Sequence, residues 1–74
     1  MSLPAVNGRK TIKALESFGF AVIRTKGSHH MMRKDGHENL VVVPVHGNRN
    51  IPNGTLRSIV RDAGISVQEF KDAL

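Results

Sequence analysis

The sequence predicts an α+β domain in which a three-stranded antiparallel sheet carries helices on one face, in the order α-β-β-β-α with a short trailing helix. Apolar residues recur with helical spacing near both ends of the chain, and short β-branched runs separated by glycine turns lie between them. A chain of 74 residues, 39% of them hydrophobic, has enough apolar side chains for one thin core. Helices packed on one sheet face bury both helical stripes and leave the other sheet face open.

The first helix is predicted to begin after Asn7, whose side chain suits an N-cap position. An apolar stripe at a spacing of three residues follows it: Ile12, Leu15 and Phe18. Gly19 is expected to end this helix as its C′ residue. Residues 20–24 are rich in β-branched and aromatic side chains, so they are predicted to form the first strand.

Two glycine turns flank the predicted second strand. Gly27-Ser28 precedes residues 29–33, and Asp35-Gly36 follows them as a strong hairpin signal. Residues 40–45 form a continuous apolar run, which predicts the best-buried strand of the sheet. Pro44 cannot donate a ladder hydrogen bond, so this strand is expected to end there or to lie at a sheet edge.

The C-terminal part is predicted to form a loop and two helices. Residues 46–53 are rich in glycine, asparagine and proline, which favours a loop. The second helix ends at Gly64, and its core-facing stripe is Leu56, Ile59, Val60 and Ala63. Residues 66–69 form a capping box that starts a third helix, with these side chains inward: Val67, Phe70 and Leu74. Double-stranded-RNA-binding domains share this order and layering, a likeness of fold that assigns no function by itself.

The chain is expected to be one domain over residues 1–74, with residues 1–6 disordered or derived from an expression tag. Cysteine is absent, which excludes disulfides and thiolate zinc sites and fits a reducing cytoplasm. No apolar run approaches the length of roughly 20 residues that spans a bilayer, and no signal peptide is visible. We therefore expect a cytoplasmic protein without a membrane partner.

Positive charge is concentrated in the first half of the chain. Residues 9–34 contain seven lysine and arginine residues and one glutamate, whereas residues 35–74 contain four basic and five acidic residues. This basic segment, in a protein of net charge +5, favours binding to a polyanion such as RNA. A solvated basic face without a ligand is the alternative, and no long amphipathic segment favours a membrane surface.

The candidates for proton transfer are four histidines: His29, His30, His37 and His46. On a strand, the side chains of His29 and His30 point to opposite faces, so the two do not easily share a substrate. His37 lies beside the predicted hairpin turn and is expected to have a surface or capping role. The histidines lack the spacing of a metal site, so neither a metal nor another cofactor is predicted.

Lys26, Gly27 and Ser28 directly precede His29. Glycine at position 27 tolerates positive φ and lets backbone N–H groups approach a phosphate, although an ordinary hairpin glycine is the alternative. The convergence of a cation, turn amides and an imidazole within four residues favours a phosphate-binding role.

Four segments match a known family in order and spacing: LESFGF over residues 15–20, KGSHH over 26–30, VVPVH over 42–46 and GTLRSI over 54–59. Together they resemble the HicA family of small toxins from bacterial and archaeal toxin–antitoxin systems. The resemblance implies the double-stranded-RNA-binding-domain type of fold and a ribosome-independent mRNA endoribonuclease that needs no metal. It also implies that His29, the histidine after Gly-Ser, is catalytic and that an antitoxin of the HicB type covers the active site.

These observations predict an RNA-cleaving toxin in which His29 transfers a proton and His46 is the second proton-transfer group. The residues expected to bind RNA are Lys10, Lys13, Lys26, Gly27, Ser28, Arg33 and Lys34. The expected partners are mRNA and a HicB-like antitoxin, in a homodimer or in a hetero-oligomer with that antitoxin. The alternatives are a non-catalytic double-stranded-RNA-binding module of the same fold and a domain that binds only proteins.

Overall fold

The computed structural model describes residues 3–74 and contains three helices and three strands within them. In chain order, the elements are α1 (Gly8–Glu16), β1 (Ala21–Lys26), β2 (His29–Arg33), β3 (Val41–Pro44), α2 (Asn53–Ala63) and α3 (Val67–Asp72). This order and the antiparallel sheet confirm the predicted α+β class, and they are consistent with a double-stranded-RNA-binding-domain-like fold.

The sheet has the strand order β1-β2-β3, and both neighbouring pairs are antiparallel. In β3, Val41 and Val43 are buried and Val42 is exposed, so alternate residues face opposite sides of the sheet. Helices α1 and α2 pack against β3 on the side of the two buried valines. The other side of the sheet faces solvent, as the sequence predicts.

Residues paired directly across neighbouring strands share a face, so the register extends this assignment to β1 and β2. His30 pairs with Val43 and therefore lies on the helix side, whereas Met31 pairs with Val42 on the solvent side. We call the solvent side the open face and define it by five of its residues: Arg24, Lys26, His29, Arg33 and Val42.

The core lies between the sheet and the helices. Its largest fully buried apolar side chains are Phe70, Leu15, Met32, Leu56, Val41 and Val43. The register decides which of two adjacent methionines joins them, because Met32 faces the helices and Met31 lies on the open face. Full burial of a side chain of this size stabilises the fold by about 1.5–3 kcal/mol.

Local signals in the sequence fix several helix ends. Asn7 caps α1, where its side chain accepts a hydrogen bond from the backbone N–H of Lys10 at 2.9 Å. Ser66 and Glu69 form the predicted capping box at the start of α3. Gly64 ends α2 in the left-handed conformation, with φ of 72°. These caps confirm the predictions made for them.

Residues 3–6 are ordered, which contradicts the predicted disorder of this segment. Leu3 and Val6 lie in the core, with 8% and 3% of their surfaces exposed. The carbonyl of Val6 accepts a hydrogen bond from the backbone N–H of Ile51 at 2.8 Å, because the loop before α2 folds back beside this segment. The same expectation for Met1 and Ser2 lies outside the described residues.

Several boundaries also differ from the predicted ones, and strand β3 spans Val41–Pro44 within the predicted run 40–45. Helix α1 ends at Glu16, and a turn with its own hydrogen bonds continues to Gly19, which has φ of 97°. Strand β1 continues to Lys26 because its pairing with β2 extends to the turn. Leu74, predicted to face inward, is 51% exposed because α3 ends at Asp72 and its helical stripe ends with it.

Strand β1 is exposed along its whole length and forms one edge of the sheet. Its pairing with β2 shifts between Val22 and Arg24, and Ile23 at this bulge is 59% exposed. Strand β1 therefore lies outside the part of the sheet that the helices bury. We call residues 26–29, at the end of the hairpin of β1 and β2, the tip.

Candidate functional site

The tip brings Lys26 and His29 together on the open face. The two residues pair directly across the strands, which puts their Cβ atoms about 5 Å apart. Between them, Gly27 has φ of 59°, a conformation that glycine adopts without steric cost. Both side chains are exposed, so a phosphate group in solution can reach a cation and an imidazole at the same place.

His46 lies at the same end of the sheet as the tip. Val45 donates its backbone N–H to the carbonyl of Ser28 at 2.8 Å, so hydrogen bonding between the segments of β2 and β3 continues one residue beyond Pro44. His46 is the next residue, and its side chain is exposed. The fold therefore brings the backbones of both histidines predicted to transfer protons to one end of the sheet.

Three cations share the open face with His29: Arg24, Lys26 and Arg33. All three are exposed, and cations on one surface attract a polyanion independently of its sequence. Arg24 is missing from the predicted site. The alternation of strand residues, counted back two positions from Lys26, is the signal that identifies it once the bounds of β1 are known.

His30 has surroundings that differ from those of His29. It is half-buried on the helix side, and its Nδ1 donates a hydrogen bond to the carbonyl of Ser28 at 3.1 Å. Because a carbonyl oxygen only accepts, Nδ1 carries a proton in this hydrogen bond, and Nε2 takes no part in it. Sequence reasoning identified the opposite orientation of His30 but gave it no role.

A cleft of about 450 Å³ adjoins His30 and is lined by Arg9, Ile12, Val22, His30, Val45 and Gly47. The first turn of α1 reaches this cleft because Gly8 lies directly against the end of β3, at Pro44 and Val45. No local signal in the sequence indicates this contact.

Comparison with known protein families gives a match that includes the four segments LESFGF, KGSHH, VVPVH and GTLRSI. Residues 8–65, well over half of the chain, match the family described as the HicA toxin of bacterial toxin–antitoxin. The chain belongs to the HicA toxin family. This membership confirms the resemblance found in the sequence, and it implies that this HicA protein pairs with an antitoxin. No curated protein matches the chain.

The family match extends from the first residue of α1 to Ile65. It therefore includes the tip, the open face and the cleft beside His30, and it leaves α3 outside. Helix α3 still contributes the fully buried Phe70 to the core, so this HicA chain uses a segment outside the family match to complete its packing.

The remaining predicted RNA-binding cations of this HicA protein lie apart from His29. Lys34 follows β2 at the end away from the tip, and its Nζ lies 5.7 Å from the centre of the Phe20 ring. Lys10 and Lys13 belong to α1 and line a second cleft of about 390 Å³ in the helix layer. The fold thus assembles Lys26, Gly27, Ser28 and Arg33 with His29 but does not bring the other three lysines to the open face.

His37 of the HicA chain has contacts that explain it structurally. Its Nε2 donates a hydrogen bond to the carbonyl of Asp62 in the last turn of α2 at 2.7 Å. Its ring meets that of Phe20 edge-on, with the ring centres 5.3 Å apart. This satisfies a carbonyl at the C-terminus of α2, in keeping with the capping role considered for His37.

Two further findings concern other classes of function. Within residues 3–74, no three or more histidine, aspartate or glutamate side chains are grouped so that they could hold a metal ion. None of the helices described there combines the length and hydropathy that crossing a membrane requires.

Proposed function

We propose that this HicA family member is an endoribonuclease that cleaves mRNA, with His29 as a proton-transfer group. The observation that supports this most directly is the pairing of exposed His29 with exposed Lys26 at the tip. Cleavage of an RNA backbone needs a group that moves a proton near neutral pH and a positive charge near the phosphate. Both are available on one solvent-facing surface.

In the proposed reaction, the ribose 2′-oxygen attacks the adjacent phosphorus, and the bond from phosphorus to the 5′-oxygen breaks. His29 takes the proton from the 2′-hydroxyl or gives a proton to the departing 5′-oxygen, and His46 serves as the second proton-transfer group. A well-placed acid or base contributes about 10²–10⁴-fold. Lys26 and the backbone N–H groups of Gly27 and Ser28 stabilise the negative charge on the phosphoryl oxygens. The reaction uses no metal or other cofactor.

The cations of the open face hold the RNA backbone in this proposal. Arg24 lies level with Met31 and Arg33 lies level with Ala21, so both are further from the tip than His29 and contact phosphates on one side of the cleaved one. Contacts of this kind are independent of sequence and weaken as salt rises. The proposed substrate is single-stranded RNA.

The antitoxin of this HicA protein is proposed to be HicB-like and to cover the open face, forming a hetero-oligomer in the cytoplasm, where mRNA is available. A face with three exposed cations suits a partner that presents acidic side chains. Covering this face blocks RNA from His29 and explains inhibition without any change in the fold.

A non-catalytic double-stranded-RNA-binding module is the second candidate. Lys10 and Lys13 favour it, because both are exposed on α1, in the helix layer. Such modules contact duplex phosphates through helices and loops and recognise shape more than sequence. The two candidates therefore use opposite sides of the molecule.

The deciding experiment incubates the purified protein and its His29→Ala variant with single-stranded and duplex RNA, with and without EDTA. The wild type is expected to cleave single-stranded RNA in both buffers, and His29→Ala is expected to bind that RNA without cleaving it. Circular dichroism and co-purification with the antitoxin check that the variant is folded. Cleavage by His29→Ala at the wild-type rate contradicts the proposal, and tight binding of uncleaved duplex supports the second candidate.

A further inference from the structure

The cleft beside His30 has no part in the reaction proposed above. His29 and His30 are consecutive on β2, so the cleft lies on the helix side of the sheet end whose open side carries His29. The two places are separated only by the sheet itself. A ligand long enough to pass around the tip reaches both of them.

The lining of this cleft combines two kinds of contact. Ile12, Val22 and Val45 supply an apolar wall, and Arg9 and His30 supply polar groups. Because Nδ1 of His30 is engaged with the carbonyl of Ser28, the other ring nitrogen is available to a ligand. A volume of about 450 Å³ is within the range of small-ligand sites, about 300–1,000 Å³.

We propose that this cleft binds one nucleotide of single-stranded RNA. Arg9 contacts the phosphate, the base lies against the apolar wall, and Nε2 of His30 meets a polar edge of the nucleotide. The proposal rests on the RNA-cleaving function above and deepens it, because it assigns recognition of a base to a surface distinct from the one that carries His29.

The lining favours a single-stranded nucleotide over a duplex. A base can lie against Val22 and Val45 only if it is unstacked from its neighbours, which bases in single strands and loops allow. The path around the tip is open, because a Cβ placed at Gly27 or at Gly47 meets no heavy atom within 4 Å. A nucleotide held in the cleft fixes the distance along the RNA from the recognised base to the phosphate at His29.

Binding is tested in the His29→Ala background, so that the RNA stays intact. A fluorescent single-stranded RNA of mixed sequence is titrated at salt concentrations of about 50 to 200 mM, with and without Arg9→Ala. Loss of one phosphate contact lowers the magnitude of the slope of log K against log salt by about 0.7. Over this fourfold increase in salt, the affinity of the Arg9→Ala protein for RNA should therefore fall about 2.6-fold less than the affinity of the protein that retains Arg9. Arg57→Ala, an exposed arginine of α2 that does not line the cleft, is the matched control.

The base contact is tested with His29 intact, by sequencing the ends of cleaved RNA. Val22→Thr keeps the shape and strand preference of the side chain but replaces a methyl group of the apolar wall by a hydroxyl. We expect the preference for the base in the cleft to change about tenfold, and His30→Gln to change it as well. The Arg57→Ala cleavage pattern should match that of the wild type.

The outcomes separate the two proposals. If the His29→Ala protein binds RNA but Arg9→Ala has the same salt slope as Arg57→Ala, the cleft proposal is overturned and the nuclease proposal stands. An unchanged cleavage pattern in both Val22→Thr and His30→Gln overturns it too. If His29→Ala cleaves RNA, the assignment of His29 is wrong, while an Arg9-dependent salt slope still supports the cleft.

Discussion

Gly8 and Gly54 form a matched pair for substitution, because each lies in the first turn of a helix. Alanine is more favourable than glycine in a helix by about 1 kcal/mol, so the sequence alone predicts that both changes stabilise the protein. Their surroundings differ. A Cβ at Gly8 overlaps the backbone oxygen of Pro44 and lies 2.8 Å from Cγ2 of Val45, whereas a Cβ at Gly54 meets nothing within 4 Å.

The sign of the effect at Gly8 follows from what the new methyl group meets. A backbone oxygen cannot rotate away, so α1 must move off the end of β3, and overpacking of this kind costs about 1–3 kcal/mol. Set against a gain of about 1 kcal/mol in helix propensity, this cost leads us to expect that Gly8→Ala lowers the free energy of unfolding by up to about 2 kcal/mol. Gly54→Ala is expected to raise it by about 0.4–1 kcal/mol.

Urea unfolding followed by circular dichroism measures both changes on one scale. The transition midpoints should move in opposite directions from that of the wild type, with unchanged m-values. In thermal unfolding, 1 kcal/mol corresponds to about 4–8 °C in Tm for a domain of this size. A Gly8→Ala protein at least as stable as the wild type would refute the inferred contact between α1 and β3, and a Gly54→Ala protein that loses stability would refute the propensity argument.

Two further pairs of substitutions test the two sides of the sheet. Met32→Ala should lower the free energy of unfolding by about 2–5 kcal/mol, and Met31→Ala on the open face by clearly less; similar losses in urea unfolding would contradict the assigned faces. Lys26→Ala should weaken binding of single-stranded RNA and lower its salt slope by about 0.7, measured in the His29→Ala background. Lys34→Ala should instead lower the free energy of unfolding by about 0.5–1 kcal/mol through the lost contact with an aromatic ring. An equal loss of RNA affinity in both lysine variants would contradict the assignment of Lys26, but not Lys34, to the RNA-binding face.

The fold could be predicted well because its signals are local. Asn7, Gly64 and the Ser66–Glu69 capping box act within a few residues of themselves, so the predicted helix starts and stops depend on nothing remote. The predictions of disorder in residues 3–6 and of an inward-facing Leu74 were wrong because burial there depends on a distant segment or on where a helix ends. No short-range pattern indicates that the loop before α2 folds back onto Val6.

The candidate site divides in the same way. The sequence already places Lys26, Gly27, Ser28 and His29 together, because a tight turn keeps neighbours in the chain close in space. Assigning Arg24 to the site required knowledge of the true bounds of β1. Separating Lys34 from the tip required knowledge of the direction in which β2 runs. The position of His37 is explained by residues distant in the chain, namely the Phe20 ring and a carbonyl that lies 25 residues further along.

The sequence by itself determined the order of the elements, the helix caps and the alternation that turns His29 and His30 to opposite faces, since propensity, capping and strand geometry act over a few residues. The tertiary structure decided which face the helices cover, and so left His29 in solvent and His30 beside Arg9. The physical reason is that close packing joins segments far apart in the chain according to the shapes of their surfaces. Gly8 shows this most directly, because its contact with Pro44 is what brings the start of α1 to the cleft.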